Sequence, residues 1–214
     1  MTSTAQASTE PQRDRERTRA EILDVATAEF AAAGYAGARV DEIAAATRTT
    51  KRMIYYYFEN KKQLYMAVLQ RAYMRIRDAE QDVDVAHLDP VTAVRRIAET
   101  TFDHHEAHPD FIRLVCVENI HRAEHLAELV QTVDLRTPVV HQLDVLLRRG
   151  REQGVFRPGC DAIDLHMMIS SYCFFRVANR HTFGAIFDRD LVDPAERGHY
   201  RTMLGDMVVR FLAA

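Results

Sequence analysis

The sequence predicts an all-α protein of about nine helices, divided into a small N-terminal head and a larger C-terminal domain. Apolar residues recur at intervals of three and four along most of the chain, as they do on one face of a helix. No segment shows the alternation of apolar and polar residues that is typical of a β-strand. Glycine (8 residues) and proline (6 residues) are few in a chain of 214 residues, which also favours helices.

Three regions of different character are expected along the chain. Residues 1–12 are rich in Ser, Thr, Gln and Pro, a composition typical of a disordered tail. Residues 13–62 contain short helical segments and form the head, whereas residues 63–214 contain longer helices and form the second domain. The helix that leads into the second domain begins with Asn60 as N-cap, and Gln63 completes a capping box.

The head is predicted to contain three helices. The first covers residues 13–33 and ends at Gly34, because glycine readily adopts the left-handed conformation that closes a helix. Two short helices follow, over residues 40–47 and residues 50–58, and Thr50 is a suitable N-cap for the second of them.

Proline indicates where several helices of the second domain begin or divide. A proline at the first helical position is predicted in Asp89-Pro90, His108-Pro109 and Asp193-Pro194. A long helical stretch after Ala123 should be kinked or split at Pro138. Two further helices are predicted over residues 161–181 and 194–212.

Charge is distributed unevenly, although the net charge is only -3. Residues 1–62 hold ten basic and nine acidic side chains, whereas the rest of the chain holds eighteen basic and twenty-two acidic ones. Residues 48–62 alone hold five basic side chains and one acidic side chain. A small basic surface on an acidic body is typical of a protein that contacts a polyanion with one end.

The cysteines and the apolar segments predict a cytoplasmic protein without a membrane partner. Cys116, Cys160 and Cys173 are odd in number and far apart, so no disulfide framework is expected. The N-terminus lacks the apolar run of a signal peptide, and the most apolar stretch is too short and polar to span a bilayer.

A tight turn between two short helices, followed by basic and aromatic side chains, is what reading the major groove of DNA requires. The second short helix offers hydrogen-bonding side chains at Thr50, Lys51, Arg52, Tyr55 and Tyr56. Of these, Tyr56 is expected to enter the groove, whereas Tyr55 divides its contacts between packing and a phosphate. Lys61 follows in the first turn of the next helix, where its ammonium and free backbone N–H groups can hold a phosphate together.

Residues 15–65 resemble the DNA-binding domain of the TetR/AcrR family of transcription regulators. The resemblance rests on Ile22-Leu23-x-x-Ala26-x-x-x-Phe30, Gly34-Tyr35, Val40-x-x-Ile43-Ala44, and above all Lys51-x-x-Ile54-Tyr55-Tyr56-Tyr57-Phe58-x-Asn60-Lys61-x-x-Leu64. It implies that residues 50–57 form the recognition helix and that Lys61 is a phosphate anchor. It also implies that Phe58 and Leu64 pack the head together.

Two positions depart from the pattern of that family. The turn carries Arg48 where the family usually has glycine. Either Arg48 adopts a backbone conformation that is less strained for glycine, or the turn differs. Ala38 and Arg39 stand where a pair of hydroxyl residues usually precedes the second helix. Arg39 is expected to contact a phosphate instead, and Arg39 and Arg48 join the predicted DNA-binding residues.

The resemblance also implies a homodimer in which the last two helices of each subunit pair as a four-helix bundle. A symmetric dimer would read two half-sites of an operator. The apolar stripe of the last helix supplies the candidate interface residues Met203, Leu204, Met207, Val208 and Phe211. Alternatively, this stripe packs only against its own domain.

A small-molecule effector is expected in the second domain, in a mostly apolar cavity with a few polar groups. The candidate lining residues are Phe102, His105, Phe111, Cys116, Asn119, Tyr172, Arg176, Asn179 and Arg180. If Arg176 or Arg180 points inward, an anionic or aromatic ligand is favoured. Alternatively, both arginines pair with acidic residues at the surface.

Two other kinds of site were weighed. His104 with His108, and His121 with His125, have the spacing that lets one helical face bind a metal. No Cys or carboxylate cluster completes either pair, so no metal is expected. An all-helical enzyme that uses Cys116 with His121 would lack an activating third group.

The sequence thus predicts a DNA-binding transcription regulator, neither an enzyme nor dependent on a cofactor. The expected mechanism is a repressor that a small-molecule effector releases from operator DNA. A metal-responsive regulator that uses the histidine pairs is the alternative, and the operator, the effector and the direction of regulation stay open.

Overall fold

The computed structural model describes residues 10–133, 135 and 138–214. These residues form eleven α-helices and no β-strand, which confirms the all-α prediction: α1 Glu10–Gly37, α2 Val40–Ala46, α3 Lys51–Phe58, α4 Lys61–Gln81, α5 Pro90–Ala107, α6 Pro109–Ile120, α7 Glu124–Thr132, α8 Pro138–Glu152, α9 Ala162–Ala178, α10 Arg180–Phe187 and α11 Arg197–Leu212. None of these helices is both long and apolar enough to cross a lipid bilayer.

The predicted number of about nine helices is too low, because two predicted helices are each divided. The stretch after Ala123 forms α7 and α8, and α8 begins at Pro138. Proline cannot continue a helix without loss of a backbone hydrogen bond, so a split at this residue agrees with the prediction. Residues 161–181 are predicted as one helix, but α9 ends at Ala178 and Asn179 separates it from α10.

Proline begins two of the three helices that it was expected to begin. Pro90 and Pro109 are the first residues of α5 and α6. Pro194 is not the first residue of α11, so that prediction is wrong. The Asp193 carboxylate accepts a hydrogen bond from the backbone N–H of Ala195 at 2.9 Å, which closes a turn before the helix starts.

The first helix begins three residues earlier than predicted. Of the predicted tail, residues 1–9 lie outside the described residues, and residues 10–12 belong to α1. Gly34 interrupts the helix with φ 68° and ψ 175°. A side chain at such a φ would be strained, so glycine acts near the end of this helix as predicted.

The described residues divide into two compact units. The first unit contains the described residues up to Arg71 and a second segment, Arg113–Val133, which includes α7. The second unit contains Ala72–Ile112 and the described residues from Leu135 onward. The predicted boundary after residue 62 falls in the first turn of α4, so the N-terminal unit is larger than the predicted head.

Apolar side chains of α1 to α4 form the core of the first unit. Ile22, Phe30, Ile43, Ile54, Leu64 and Tyr65 are fully buried. The ring of Tyr65 meets the ring of Phe30 edge-on, with 4.8 Å between centroids. Phe58 and Leu64 are buried as the resemblance implied, and Leu129 of α7 is buried in the same unit.

Helix α5 packs against α8, α9 and α11 in the second unit. The core between these helices includes Phe102, Leu143, Leu165, Ile169, Leu204 and Val208. At its edge, the Asp103 carboxylate accepts hydrogen bonds from Arg197 at 2.6 Å and from Arg201 at 3.0 Å. These charge-assisted bonds fix α11 along α5.

Candidate functional site

Helix α3, the predicted recognition helix, has one buried face and one exposed face. Ile54 and Phe58 are buried, whereas the side chain of Tyr56 is 62% exposed. The Thr50 hydroxyl accepts a hydrogen bond from the backbone N–H of Met53 at 3.2 Å, so the predicted N-cap is confirmed. The exposed face of α3 is accessible to a partner.

The turn between α2 and α3 is tight although it contains no glycine. Arg48 has φ 52°, the left-handed conformation, which is the first of the two alternatives that the departure from the family pattern left open. The backbone N–H of Thr49 donates to the carbonyl of Ala44 at 3.0 Å, which closes the turn. The Arg48 side chain is exposed at the start of α3.

Basic side chains lie on the surface around the start of α3. The Lys51 ammonium is 3.1 Å from a carboxylate oxygen of Asp41, and Arg52 is exposed. Arg39 is the N-cap residue of α2, and its guanidinium lies 3.9 Å from the Glu42 carboxylate. Ion pairs at this exposure contribute little, so a phosphate group can compete with these carboxylates.

Tyr56 contacts an arginine of α1 that is not among the predicted DNA-binding residues. The Arg15 guanidinium donates to the Tyr56 hydroxyl at 2.7 Å, and its carbon lies 5.6 Å from the ring centroid. This contact places a basic group of α1 beside the exposed face of α3. Tyr55 is half-buried, in agreement with the divided role expected for it.

Lys61 lies at the start of α4 but already has partners within the protein. Its ammonium donates to the carbonyl of Ala36 at 3.2 Å and lies 5.1 Å from the ring centroid of Tyr35. An ammonium has three donors, so a phosphate can still bind the others. The phosphate-anchor role of Lys61 stays a prediction. Asn60 caps α4 by accepting from the backbone N–H of Gln63 at 3.0 Å.

A buried carboxylate joins α7 to the rest of the first unit. Glu118 is 1% exposed and accepts hydrogen bonds from the Tyr65 hydroxyl and from the backbone N–H of Leu126, both at 2.9 Å. Nδ1 of His125 lies 3.4 Å from the same carboxylate, and its ring packs 4.3 Å from that of Tyr35. No sequence spacing could have indicated this cluster, because its members are far apart in the chain.

The two arginines predicted to point toward an effector pair instead with acidic residues. Arg176 is buried, and its guanidinium lies 3.1 Å from the Glu106 carboxylate and over the ring of Phe102 at 4.1 Å. The Arg180 guanidinium lies 3.3 Å from Asp190. The alternative left open by the sequence is therefore correct about the acidic partners but wrong about the surface location of Arg176. Neither arginine is an unpaired anion-binding group.

The other predicted effector contacts divide between the two units. Cys116 and Asn119 belong to the first unit, whereas Phe102, His105, Phe111, Tyr172 and Asn179 belong to the second, with both arginines. Within the second unit, the rings of His105 and Phe111 meet edge-on, with 5.7 Å between centroids. The Tyr172 hydroxyl is bound to the backbone carbonyl of Tyr200 at 3.1 Å.

Only part of the predicted dimer stripe on α11 is accessible. Leu204 and Val208 are buried in the core of their own unit, so their assignment to an interface is corrected. Met207 and Phe211 are 45% and 40% exposed, and Met203 is half-buried. A groove of about 490 Å³ runs along this side of the helix, lined by Gly198, His199, Thr202, Met203, Asp206, Met207 and Arg210.

The two histidine pairs that could suggest a metal site differ in their geometry. The rings of His104 and His108 are stacked, 4.2 Å apart. His121 lies in the turn after α6, so it does not share a helical face with His125. Among the residues described, no three His, Cys, Asp or Glu side chains are placed to hold one ion.

The cysteine that was weighed as a nucleophile is not activated. Burial raises the pKa of the Cys116 thiol, which keeps it protonated. Its proposed partner His121 is exposed in the turn. This environment does not produce the thiolate that nucleophilic catalysis needs.

Two family models match the chain. Residues 22–68 match the bacterial regulatory proteins of the tetR family, and residues 90–208 match the tetracyclin repressor-like C-terminal domain. The first match contains α2, α3 and the apolar face of α1, and the second contains α5 and most of the second unit.

Curated relatives and solved structures agree with the family models. The chain is 30% identical over 197 residues to the HTH-type transcriptional repressor NicS of Pseudomonas putida, a match that covers 92% of this chain and 93% of that protein. It is 34% identical over 157 residues to the HTH-type transcriptional repressor SCO4008 of Streptomyces coelicolor, covering 73% and 77%. A tetR-family regulatory protein from Rhodococcus RHA1 has the same fold, with a TM-score of 0.72, 18% identity and coverage of 92% and 97%.

Proteins of this kind are transcription regulators and not enzymes. The exposed helix α3 and the all-helical second unit agree with that class. The chain therefore belongs to the tetR family and is a DNA-binding transcription regulator with a ligand-binding C-terminal domain.

Proposed function

We propose that the protein is a dimeric repressor that binds operator DNA through α2 and α3 and leaves it when a small-molecule effector binds the C-terminal domain. The exposed, basic face of α3 is the observation that carries this proposal. Two curated relatives are named repressors, which supports repression as the direction of control. The three cysteines are free thiols, which fits the reducing cytoplasm where operator DNA lies.

The side chains of α3 supply the two kinds of contact that operator recognition needs. Arg52 has a planar guanidinium that can donate two hydrogen bonds to the edge of a guanine. The Tyr56 hydroxyl accepts its bond from Arg15, so its own proton is available for a base or a phosphate oxygen. Arg48 and Lys51 lie beside them and are exposed to the sugar-phosphate backbone.

Replacing Arg52 with alanine is expected to weaken operator binding about tenfold or more, because a base contact of this kind is worth about 1–3 kcal/mol. Fluorescence anisotropy with labelled DNA from upstream of the gene measures the change, at several salt concentrations. Arg148→Ala removes another exposed arginine, from α8, and should leave affinity unchanged. Equal affinities of the Arg52 and Arg148 variants at low salt would contradict the assignment.

The second copy of the chain is proposed to cover an apolar face of α9 and α11. Ile163, Met167 and Phe175 are 66%, 63% and 45% exposed, and their spacing in multiples of four residues places them on one face of α9. Met207 and Phe211 add exposed apolar surface on α11. Apolar surface of this extent on paired helices is typical of a protein interface.

Replacing Met167 with glutamate is expected to convert the dimer into monomers, raising the dissociation constant at least about 100-fold, because a buried unpaired carboxylate costs several kcal/mol. Sedimentation equilibrium measures the dissociation constant. Val130→Glu, at a half-exposed apolar position on α7, is the matched control and should stay dimeric. A Met167 variant that sediments as the wild-type dimer would refute this interface.

The effector acts by lowering the affinity for DNA. By thermodynamic linkage, operator DNA must then lower the affinity for the effector by the same factor. The anisotropy experiment with the Arg52 variant uses no effector. It therefore tests operator binding independently of the effector.

A further inference from the structure

Four histidines collect in the interior of the second unit, and we call them the imidazole cluster: His104, His105 and His108 at the end of α5, and His166 of α9. His104 and His105 are each 6% exposed, and the other two are half-buried. They lie among the apolar residues that α5 and α9 contribute to the core. Polar rings in such a place need partners, because burial without hydrogen bonds is costly.

His104 does not find those partners within the part of the chain that the structure describes. Both of its ring nitrogens are buried and have no hydrogen-bond partner there, and the same holds for Nε of Arg77. Each unmade buried hydrogen bond lowers the stability of the fold. A buried polar group without a partner needs an explanation in a native fold, and a ligand that satisfies it is one explanation.

The hydrogen bonds of the neighbouring imidazoles fix which nitrogens a ligand would meet. Nδ1 of His105 lies 2.8 Å from the carbonyl of Thr101, and Nδ1 of His108 lies 3.0 Å from the carbonyl of His104. A carbonyl only accepts, so both Nδ1 atoms carry a proton, and Nε2 of each ring is an acceptor when that ring is neutral. A neutral His104 adds one donor and one acceptor. Acceptors therefore outnumber donors, which favours a ligand that carries N–H or O–H groups.

The surrounding rings indicate a flat ligand. His104 and His108 are stacked with 4.2 Å between centroids and 20° between planes. Phe111 meets His104 edge-on at 5.9 Å and Tyr73 edge-on at 5.3 Å. An aromatic ligand could take the place of the half-buried His108 ring and stack on His104 in the same geometry. The polar substituents of that ligand would then lie next to the buried ring nitrogens of His104.

The basic group of Arg77 near the cluster is already paired. The Arg77 guanidinium lies 3.1 Å from the Glu80 carboxylate, which also accepts a hydrogen bond from Thr101 at 3.2 Å. Burial lowers the pKa of His104 to about 3 and that of His105 to about 4, so both rings are neutral at physiological pH. An anionic ligand would have to compete with the Glu80 carboxylate for Arg77 and would lose its hydration.

We propose that the imidazole cluster binds an uncharged aromatic molecule that carries an N–H or O–H donor, and that this molecule is the class of effector sensed by the protein. The proposal rests on the proposed function for its regulatory meaning, but the binding site stands on the contacts of His104 and its neighbours. Since no three ligating side chains of the described residues converge there, the site is one for an organic molecule.

Benzamide and benzoate are suitable probes, because they have nearly the same shape and differ in charge. Isothermal titration of the full-length protein should show one benzamide bound per chain, with benzoate and cyclohexanecarboxamide each at least about tenfold weaker. In the wild-type protein with labelled histidine, benzamide should also shift the imidazole nitrogen signals of His104 in NMR spectra. Absence of benzamide binding at millimolar concentration, or equal affinity for benzoate, overturns the proposal.

His104→Phe keeps a buried ring but removes both nitrogens. It should weaken benzamide binding at least about tenfold while leaving the thermal midpoint unchanged or raised, because no hydrogen bond within the described residues is lost. His87→Phe, at a position 85% exposed, is the control and should bind as the wild type does. Unchanged benzamide affinity in the His104 variant overturns the proposal. Operator binding measured on the same samples tests the proposed function separately.

Discussion

Replacing Gly150 with alanine is expected to destabilise the protein by about 3 kcal/mol, near the upper end of what one added methyl group does in a core. A Cβ atom at this position of α8 would overlap the ring of Phe156. That ring is buried, and it cannot retreat easily because the backbone N–H of Phe156 is bound to the carbonyl of Gly150 at 3.1 Å. The next residue, Arg157, is also tethered, through its N–H, to the carbonyl of Leu212 at 2.8 Å.

Urea denaturation followed by circular dichroism measures this loss. Gly184→Ala is the matched control, because its Cβ would meet no atom closer than the carbonyl oxygen of Arg189 at 3.4 Å. Alanine favours a helix over glycine by about 1 kcal/mol, so this control should be as stable as the wild type or more so. Adding Phe156→Leu to the Gly150 variant should restore part of the stability. A wild-type midpoint for Gly150→Ala would contradict the packing argument.

Mild acid is expected to remove about 4 kcal/mol of stability at about pH 5 relative to neutral pH. Burial lowers the pKa of His104 to about 3 and that of His105 to about 4, from 6.5. Below pH 6.5 the unfolded chain binds a proton at each ring while the folded protein does not. Each ring therefore lowers the free energy of unfolding by about 1.4 kcal/mol per pH unit until the pH reaches its folded pKa.

The neighbours of these histidines modify this pH dependence without reversing it. Burial also lowers the pKa of His166, which acts in the same direction. Burial raises the pKa of Glu80, so the folded protein takes up that proton more readily and offsets part of the loss at lower pH. Urea midpoints at neutral pH and about pH 5 measure the sum, and His104→Phe should roughly halve the difference. Equal wild-type midpoints at both pH values would show that the two rings are not held neutral.

The recognition helix could be predicted from sequence because the interactions that define it are local. Thr50 caps a backbone N–H three residues away, and Ile54 and Phe58 are four residues apart on the buried face. The conformation of Arg48 also follows from a local comparison with glycine. The spacing of residues along the sequence is enough to predict local features such as these.

Features that depend on distant residues could not be predicted in the same way. Glu118 accepts its hydrogen bond from Tyr65, which is 53 residues away in the chain. On α11, the apolar spacing predicted one stripe, but packing against α5 decides that Leu204 and Val208 are buried while Met207 remains exposed. The divided helix at Asn179 likewise lacks the glycine or proline that would indicate a break.

Because α7 belongs to the first unit, the DNA-binding part of this regulator cannot be isolated by truncating the chain after its N-terminal helices. A polypeptide cut after Arg71 would keep the recognition helix but lose the carboxylate that the Tyr65 hydroxyl binds and the apolar cover that Leu129 provides. The core of the truncated unit would then be exposed to water at the Tyr65 hydroxyl and at the surface that Leu129 covers. Chimeric regulators that borrow this DNA-reading module must therefore transplant Arg113–Val133 along with the N-terminal helices, although the intervening Ala72–Ile112 belongs to the other unit.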